Sequence, residues 1–334
     1  MPEQPIKVSV LLTSYNLVDY IDESIGSIVR MDMPFGWELI IGDDGSTDGT
    51  VDKIKQWIEK YPQNIRLMEI DRTKDTVKTG SRAARNRAML LENARGEYIN
   101  YLDGDDCYLG TEKFKTQVSI LDNPDNADCS CCGHNHIDYF IPQQLKKVYI
   151  KEGQGDQKFD IRQYWYNRYF HTNTILFRRE CKELLLQPLY RGFLNDNFIT
   201  FLLLQKGKIY YSDHVWNQYN RTGEGLWTGH SAVYGDFRNM HLYDLELKVR
   251  PDLSNLIMNR HKFSIRNIQR NFKKGMEEEI QPLLKGLDSG VFKYTLLLAK
   301  LDGLTLKDKW AKFMIFKKAD TSYMVSRVKK LLGK

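Results

Sequence analysis

The chain has little cysteine, no long apolar run and no internal repeat. Its five cysteines, Cys107, Cys129, Cys131, Cys132 and Cys181, are an odd number and mostly bunched. A chain of 334 residues has room for a sizeable core without covalent staples, so a disulfide framework is not expected. Apolar residues nowhere run for the roughly 18–20 positions that a membrane helix needs. The opening Met1-Pro2-Glu3-Gln4-Pro5 lacks the basic and apolar regions of a signal peptide, and the expectation is a cytoplasmic protein.

What is present is the balance of an ordinary globular protein, with 42% hydrophobic and 28% charged residues. The net charge of +6 conceals an asymmetry. Residues 1–246 carry 29 Lys+Arg against 35 Asp+Glu, whereas residues 247–334 carry 20 against 8. An acidic body with a basic C-terminal segment suggests an attachment surface for something anionic.

Lys7–Leu12 is a short, β-branched apolar run that reads as a buried strand, and Leu17, Tyr20, Ile21, Ile25 and Ile28 follow at helical spacing. The unit repeats with Trp37–Ile41 and a helix whose apolar face is Val51, Ile54, Trp57 or Ile58, and Tyr61, with Asp48 at the N-cap. A third strand, Ile65–Ile70, precedes a helix of about Ser81 to Leu91, and Glu97–Leu102 gives a fourth. Such alternation predicts an α/β fold, doubly wound around a mainly parallel sheet. After residue 110 the pattern loosens, with strand-like runs at Lys146–Ile150, Thr174–Phe177 and Lys208–Tyr211 and a helical stretch from Asn197 to Gln205. From about residue 235 the chain reads as helical and basic.

Ligands of such sheets bind beyond the carboxyl ends of the strands, and here those ends are unusually polar. Asp103, Asp105 and Asp106 directly follow a buried strand. Like charges this close repel unless a cation or a hydrogen-bond network offsets them, and a hard divalent ion is the natural partner. A solvated acidic turn is the alternative. In Asp43-Asp44-Gly45-Ser46-Thr47-Asp48 the cap duty falls to Asp48, leaving Asp44 suited to accept from a nucleobase N–H.

Thr13-Ser14-Tyr15-Asn16, Asp43–Asp48, Ala84-Arg85-Asn86, Gly96-Glu97-Tyr98-Ile99 and Leu102–Asp106, in that order and spacing, resemble the inverting family-two glycosyltransferases of GT-A fold that build bacterial polysaccharide or lipopolysaccharide. The likeness is strong over about residues 6–110 and loose over 110–225. It implies that Thr13 and Tyr15 contact the nucleotide base, that Asp44 accepts from a base nitrogen, and that Arg85 lies on the nucleotide side of the cleft. It further implies that Asp103 sits near the ribose and metal waters, and that Asp105 ligates Mn²⁺ or Mg²⁺. Many relatives have Asn-x-Gly where this chain has Lys78-Thr79-Gly80, so Lys78 is expected to meet the diphosphate instead.

Inversion needs a general base for the acceptor hydroxyl. The family places an acid from a Glu-Asp pair at a helix start, and Asn195-Asp196 fits with Asn replacing Glu. Asp196 is the expected base, with a helix-capping acid as the alternative. Tyr219-Asn220-Arg221 resembles a Tyr-Arg segment of the family, which makes Arg221 or His230 a diphosphate contact. The glycine-bearing loop Gly223–His230, with Trp227, is either a closing lid or a plain surface loop.

Cys129-Ser130-Cys131-Cys132-Gly133-His134-Asn135-His136 has zinc-ligand residue types, but alternate strand residues face opposite ways, so buried strand cysteines are expected. Lys262, Arg266, Arg270, Lys273 and Lys274 recur at about helical spacing among Met258, Phe263, Ile268 and Phe272. They form a solvated helix face, a surface that lies on anionic lipid, or an oligomer contact. No nucleic-acid recognition motif accompanies them.

The expectation is a catalytic domain over 1–234, with a nucleotide-binding half 1–110 and an acceptor half 111–234, and a basic helical region over 235–334. Its activity would be metal-dependent inverting transfer from a nucleotide-sugar donor, UDP-linked, to a saccharide or lipid-linked acceptor, in the cytoplasm or on the inner face of the cell membrane. The alternatives are a sugar-nucleotidyltransferase and a catalytically silent, membrane-associated binding protein.

Overall fold

The computed structural model describes residues 5–71, 79–140, 145–148, 155–163, 170–222 and 231–271. Its first part is β1 (Ile6–Ser14), α1 (Ile21–Val29), β2 (Gly36–Asp43), α2 (Thr50–Lys60), β3 (Ile65–Glu69), α3 (Thr79–Asn93) and β4 (Tyr98–Asp103). The strands lie in the order β3-β2-β1-β4, all parallel, with Leu12 opposite both Ile41 and Leu102 and Thr13 opposite Asp103. Period-two alternation decides what each face carries. Val8, Val10, Leu12, Leu39, Ile41, Tyr98 and Leu102 join Ile21, Ile25 and Ile28 of α1 and Ile54 of α2 in one buried cluster. Leu11 and Ile40 are equally buried but outside that cluster, and α3 packs on β1 and β2. Burying an aliphatic side chain is worth about 1.5–3 kcal/mol, so this layer dominates the stability of the first part of the chain.

Asn86 fixes the seat of α3 by donating to the Gly42 carbonyl at 2.7 Å. A Cβ at Gly42 would lie 1.9 Å from Asn86 Oδ1, so a glycine is required there. The cap of α2 departs from expectation. It is Gly49, at φ 96°, a left-handed conformation that glycine adopts without strain. Asp48 instead accepts from Thr50 N and Oγ1 with one oxygen and from Val18 N with the other, which ties the β1–α1 loop to the start of α2.

The second part holds β5 (Cys107–Tyr108), α4 (Lys113–Asp122), β6 (Cys129–Phe140), β7 (Leu145–Val148), β8 (Gln157–Phe159), β9 (Leu176–Arg178), α5 (Lys182–Leu185), α6 (Asp196–Leu203) and β10 (Lys208–Arg221). The sheet continues past β4 through β9, β6, β10 and β5. β9 runs antiparallel to β4 and β6, while β10 lies parallel to β6 along its length with three register shifts. The expected doubly wound, mainly parallel GT-A-like sheet is therefore present, with an antiparallel strand inserted beside β4. All five cysteines are free and buried. Those of β6 are covered on both faces, and burial pushes the thiols of Cys131 and Cys132 well above the ordinary range.

Contacts divide the chain into Met1–Gly223 and Glu224–Lys334. In the second unit α7 (Ala232–Val249) is capped by Ser231, whose Oγ accepts from Tyr234 N at 3.2 Å, and α8 (Ser254–Asn271) packs on α7. Among the described residues no helix is long and apolar enough to cross a membrane. Lys78, the Gly223–His230 loop with Trp227, Lys273 and Lys274, and the side chains of Met258 and Lys262 lie outside the described residues.

Candidate active site

Three strand ends and one helix start meet at the carboxyl edge of β1, β2 and β4. Asn16, at φ 52°, turns the chain out of β1; its backbone N–H donates to Ser46 Oγ at 2.8 Å and its Oδ1 accepts from Thr47 N at 2.9 Å. Asp43 accepts from Gly45 N, Ser46 N and Ser46 Oγ, so this acid serves to shape its own loop. That leaves Asp44 as the other carboxylate of the turn; it is buried, and its N–H donates to Ser14 O at 2.9 Å. Tyr15 stands exposed beside it.

Asp103 ends β4. Its Oδ1 accepts from Thr13 Oγ1 at 2.9 Å, and both its oxygens accept from Arg87 Nη2, at 2.8 and 3.0 Å. The Gly104 N–H donates to the Thr13 carbonyl at 2.9 Å, an approach so close that a Cβ at Gly104 would lie 2.9 Å from that same oxygen. Asp106 is buried, held by Asn173 Nδ2 on one oxygen and by Asn220 N at 2.7 Å on the other. Asp105 is half-buried, and its carbonyl accepts from Asn220 Nδ2 at 2.6 Å. Burial and the neighbouring Asp103 charge push the Asp105 carboxyl up to about 7. Burial, with the charges of Asp105 and Asp103, pushes Asp106 well above the carboxylate range.

Asp196 is the first residue of α6 but not its cap. Asn195 caps the helix, its Oδ1 accepting from Phe198 N at 3.0 Å, so the capping alternative for Asp196 is set aside. Asp196 Oδ1 accepts from Thr172 Oγ1 at 2.9 Å and lies 3.4 Å from Arg87 Nη1, while His171 Nε2 stands 3.2 Å from Oδ2. Burial opposes the charge of Arg87, but Asp103 and Asp196 more than offset it and raise its pKa. Ligand atoms of Asp103, His171 and Asp196 lie within 4.8 Å of one another. The structure thus joins Asp103, expected on the nucleotide side, to Asp196, the expected base, through one guanidinium.

Arg85 is exposed on α3, whereas Arg87 is buried. Positions two apart on a helix point nearly opposite ways, so only one of the two can face the sheet. Ala84, Ala88 and Leu91 are buried on the inward face, and that spacing was a legible sign for Arg87. Arg221 donates from Nε and Nη2 to the buried Asp138 at 3.0 and 2.8 Å, and its guanidinium stacks 4.6 Å from the Tyr219 ring. His171, Thr172 and Asn173 escaped the sequence reading because they form a short 3-10 turn with no periodicity.

Solved structures share this fold. Staphylococcus aureus TarS 1–349 in complex with UDP-GlcNAc aligns with a TM-score of 0.60 at 17% identity, covering 98% of this chain and 93% of that one. The mannosyltransferase PcManGT of Pyrobaculum calidifontis, in complex with GDP-Man and Mn²⁺, aligns at 0.53 and 16%, covering 100% and 89%. The fold is that of the GT-A glycosyltransferases.

The glycosyl transferase family 2 model matches residues 9–185, more than half of the chain, and the protein belongs to that family. Membership of that family speaks against the sugar-nucleotidyltransferase alternative. TuaG of Bacillus subtilis (strain 168), whose name assigns it to teichuronic acid biosynthesis, is 41% identical over 114 residues, 34% of this chain and 41% of TuaG. The chain thus spans well under two thirds of the length of that relative.

Proposed function

We propose that the protein transfers a sugar, with inversion, from a UDP-sugar to a saccharide or lipid-linked acceptor in the synthesis of a surface polysaccharide. The observation that carries this reading is Asp196: a carboxylate freed from capping by Asn195, held by two neighbouring donors, and linked through Arg87 to Asp103. The UDP and polymer parts draw on the TarS complex and on the name of TuaG.

In this reading Tyr15 stacks on the base, and Asp44 accepts a base N–H. Thr13 and Arg87 hold Asp103 toward the ribose, and Arg85 and Arg221 lie along the diphosphate path. Asp196 takes the proton as the acceptor O–H breaks and its oxygen bonds the anomeric carbon. The bond from that carbon to the diphosphate breaks with its electron pair leaving on the nucleotide.

The donor set suits Mn²⁺ or Mg²⁺, because Asp105 is a hard oxygen ligand raised by burial and by a like charge, the condition that a cation relieves. Asp105 and Asp103 are the residues that would hold it, and when bound it would neutralise charge growing on the departing diphosphate. A panel of UDP-Glc, UDP-Gal, UDP-GlcNAc and UDP-GalNAc with Mn²⁺, scored by calorimetry and UDP release, tests the reading. Selective binding and turnover of one donor is expected; no binding by any of them, or equal binding with EDTA, sinks it.

A further inference from the structure

A carboxylate is hard to aim. The terminal torsion of an Asp side chain is broad and roughly two-fold, so one hydrogen bond leaves the plane of the group free to swing. Asp196 has donors on both oxygens: Thr172 Oγ1 lies 2.9 Å from Oδ1 and His171 Nε2 lies 3.2 Å from Oδ2. The two residues are consecutive, and the 3-10 turn that begins at Thr172 packs on α6.

The imidazole is itself fixed. His171 is buried, and its ring lies 4.5 Å from that of Tyr219, which in turn carries the Arg221 guanidinium. Arg221 is anchored on Asp138, whose other oxygen meets His136 Nε2 at 3.2 Å. A neutral imidazole facing a carboxylate presents its N–H there. His171 thus points one nitrogen at the base while its ring packs on Tyr219.

We propose that His171 is a positioning residue for sugar transfer, which, with Thr172, locks the plane of the Asp196 carboxylate so that a lone pair stays aimed at the attacking hydroxyl. The proposal rests on the reading of Asp196 as the base. Its effect belongs to kcat, because an ångström of misplacement at a reacting group can cost about 10²-fold while ground-state binding elsewhere is untouched.

The test compares His171→Gln, His171→Asn and His171→Leu in cleavage of the UDP-sugar that the donor panel selects, with water as the acceptor. Glutamine places an amide N–H where Nε2 stands, asparagine falls short, and leucine has none. The expectation is a loss of kcat of about 10–100-fold for Leu and Asn, recovery to within about five-fold of the parent for Gln, and Mn²⁺-dependent UDP affinity within two-fold throughout. In an Asp196→Asn background the three substitutions should add nothing further.

Equal turnover for all three variants overturns the proposal. So does loss of Mn²⁺-dependent UDP binding in the Gln variant, which would make His171 a metal ligand. The Gln and Asn pair keeps the test decisive should the leucine variant not fold, since both are polar and of similar burial cost. If Asp196→Asn itself turns over normally, the parent reading fails and takes this one with it; if Asp196→Asn is dead and the His171 variants are not, only the positioning role fails.

Discussion

Arg87 Nη2 stands 2.8 and 3.0 Å from the two oxygens of Asp103, and its Nη1 reaches Asp196 at 3.4 Å. One buried cation therefore balances two acids from different parts of the chain. Removing one partner of such a group leaves charge stranded in a poorly solvated place. Asp103 keeps about a quarter of its side-chain exposure, which moderates the cost. Arg87→Ala should destabilise the fold by about 2–4 kcal/mol, and Arg87→Lys by less, because lysine keeps the charge but loses the fork. Urea midpoints at constant m-value measure this, and an alanine variant as stable as the parent would contradict it.

Adjacent residues at the start of α6 should separate stability from catalysis. Asp196→Asn is expected to lower kcat by about 10²–10⁴-fold with unchanged donor affinity and only a small loss of melting temperature, because Asp103 still pairs with Arg87. Asn195→Ala removes the cap and should cost about 1 kcal/mol of stability, leaving kcat within a few-fold. Steady-state kinetics beside thermal melts reads both, and a reversed pattern would return the capping duty to Asp196.

Asp105 gives the nucleotide site a pH signature. Its carboxyl is raised to about 7, and a metal ligand must first lose its proton. Mn²⁺-dependent UDP affinity should therefore be full above about pH 8 and fall as pH drops through 7 toward 6. Asp105→Asn should abolish most of that affinity. Calorimetry across pH 6–8 showing a flat profile in the parent would count against the assignment.

Lys113 should give stability a pH dependence of the same sign, at higher pH. It is buried, donates to the Asn173 carbonyl and to Asn217 Oδ1 at 3.1 Å, and lies 3.8 Å over the Tyr108 ring. Burial pushes its amine well below the lysine range. The unfolded chain holds that proton up to about pH 10.4, so between the lowered folded value and about 10.4 the unfolded state binds more protons. Stability from this residue is thus lost as pH falls and gained as it rises, by up to about 1.4 kcal/mol per unit. Lys113→Met should flatten the rise in urea midpoint between about pH 8 and 10; a slope equal to the parent's would refute this.

The first part of the chain was legible because β1, β2 and β4 are largely buried on both faces and their helices are amphipathic, so Val8 to Leu12 and Ile21 to Ile28 declare themselves by period alone. β10 did not. Its first residues, Ile209 to Tyr211, read as a strand, but Asp213, His214, Asn217, Gln218 and Asn220 hide the rest, since these side chains make hydrogen bonds or ring contacts that no periodicity records. The acids of the site could be picked out by their place after strands. Their anchors could not, because Thr172, Asn173 and Asn220 take their meaning from partners tens of residues away.

Those separations bear on how the protein is made. Arg87 and Asp103 are 16 residues apart, whereas Asp106 and Asn220 are 114 apart. At about 5–20 residues per second, a nascent chain that has just emerged through Asp106 waits roughly 6–23 s for the residue that anchors it. Until then a carboxylate destined for burial stays in water, without the two asparagines that hold it. A ribosome-stalled or proteolysed fragment ending near residue 110 carries all three aspartates yet lacks the asparagines that hold the third.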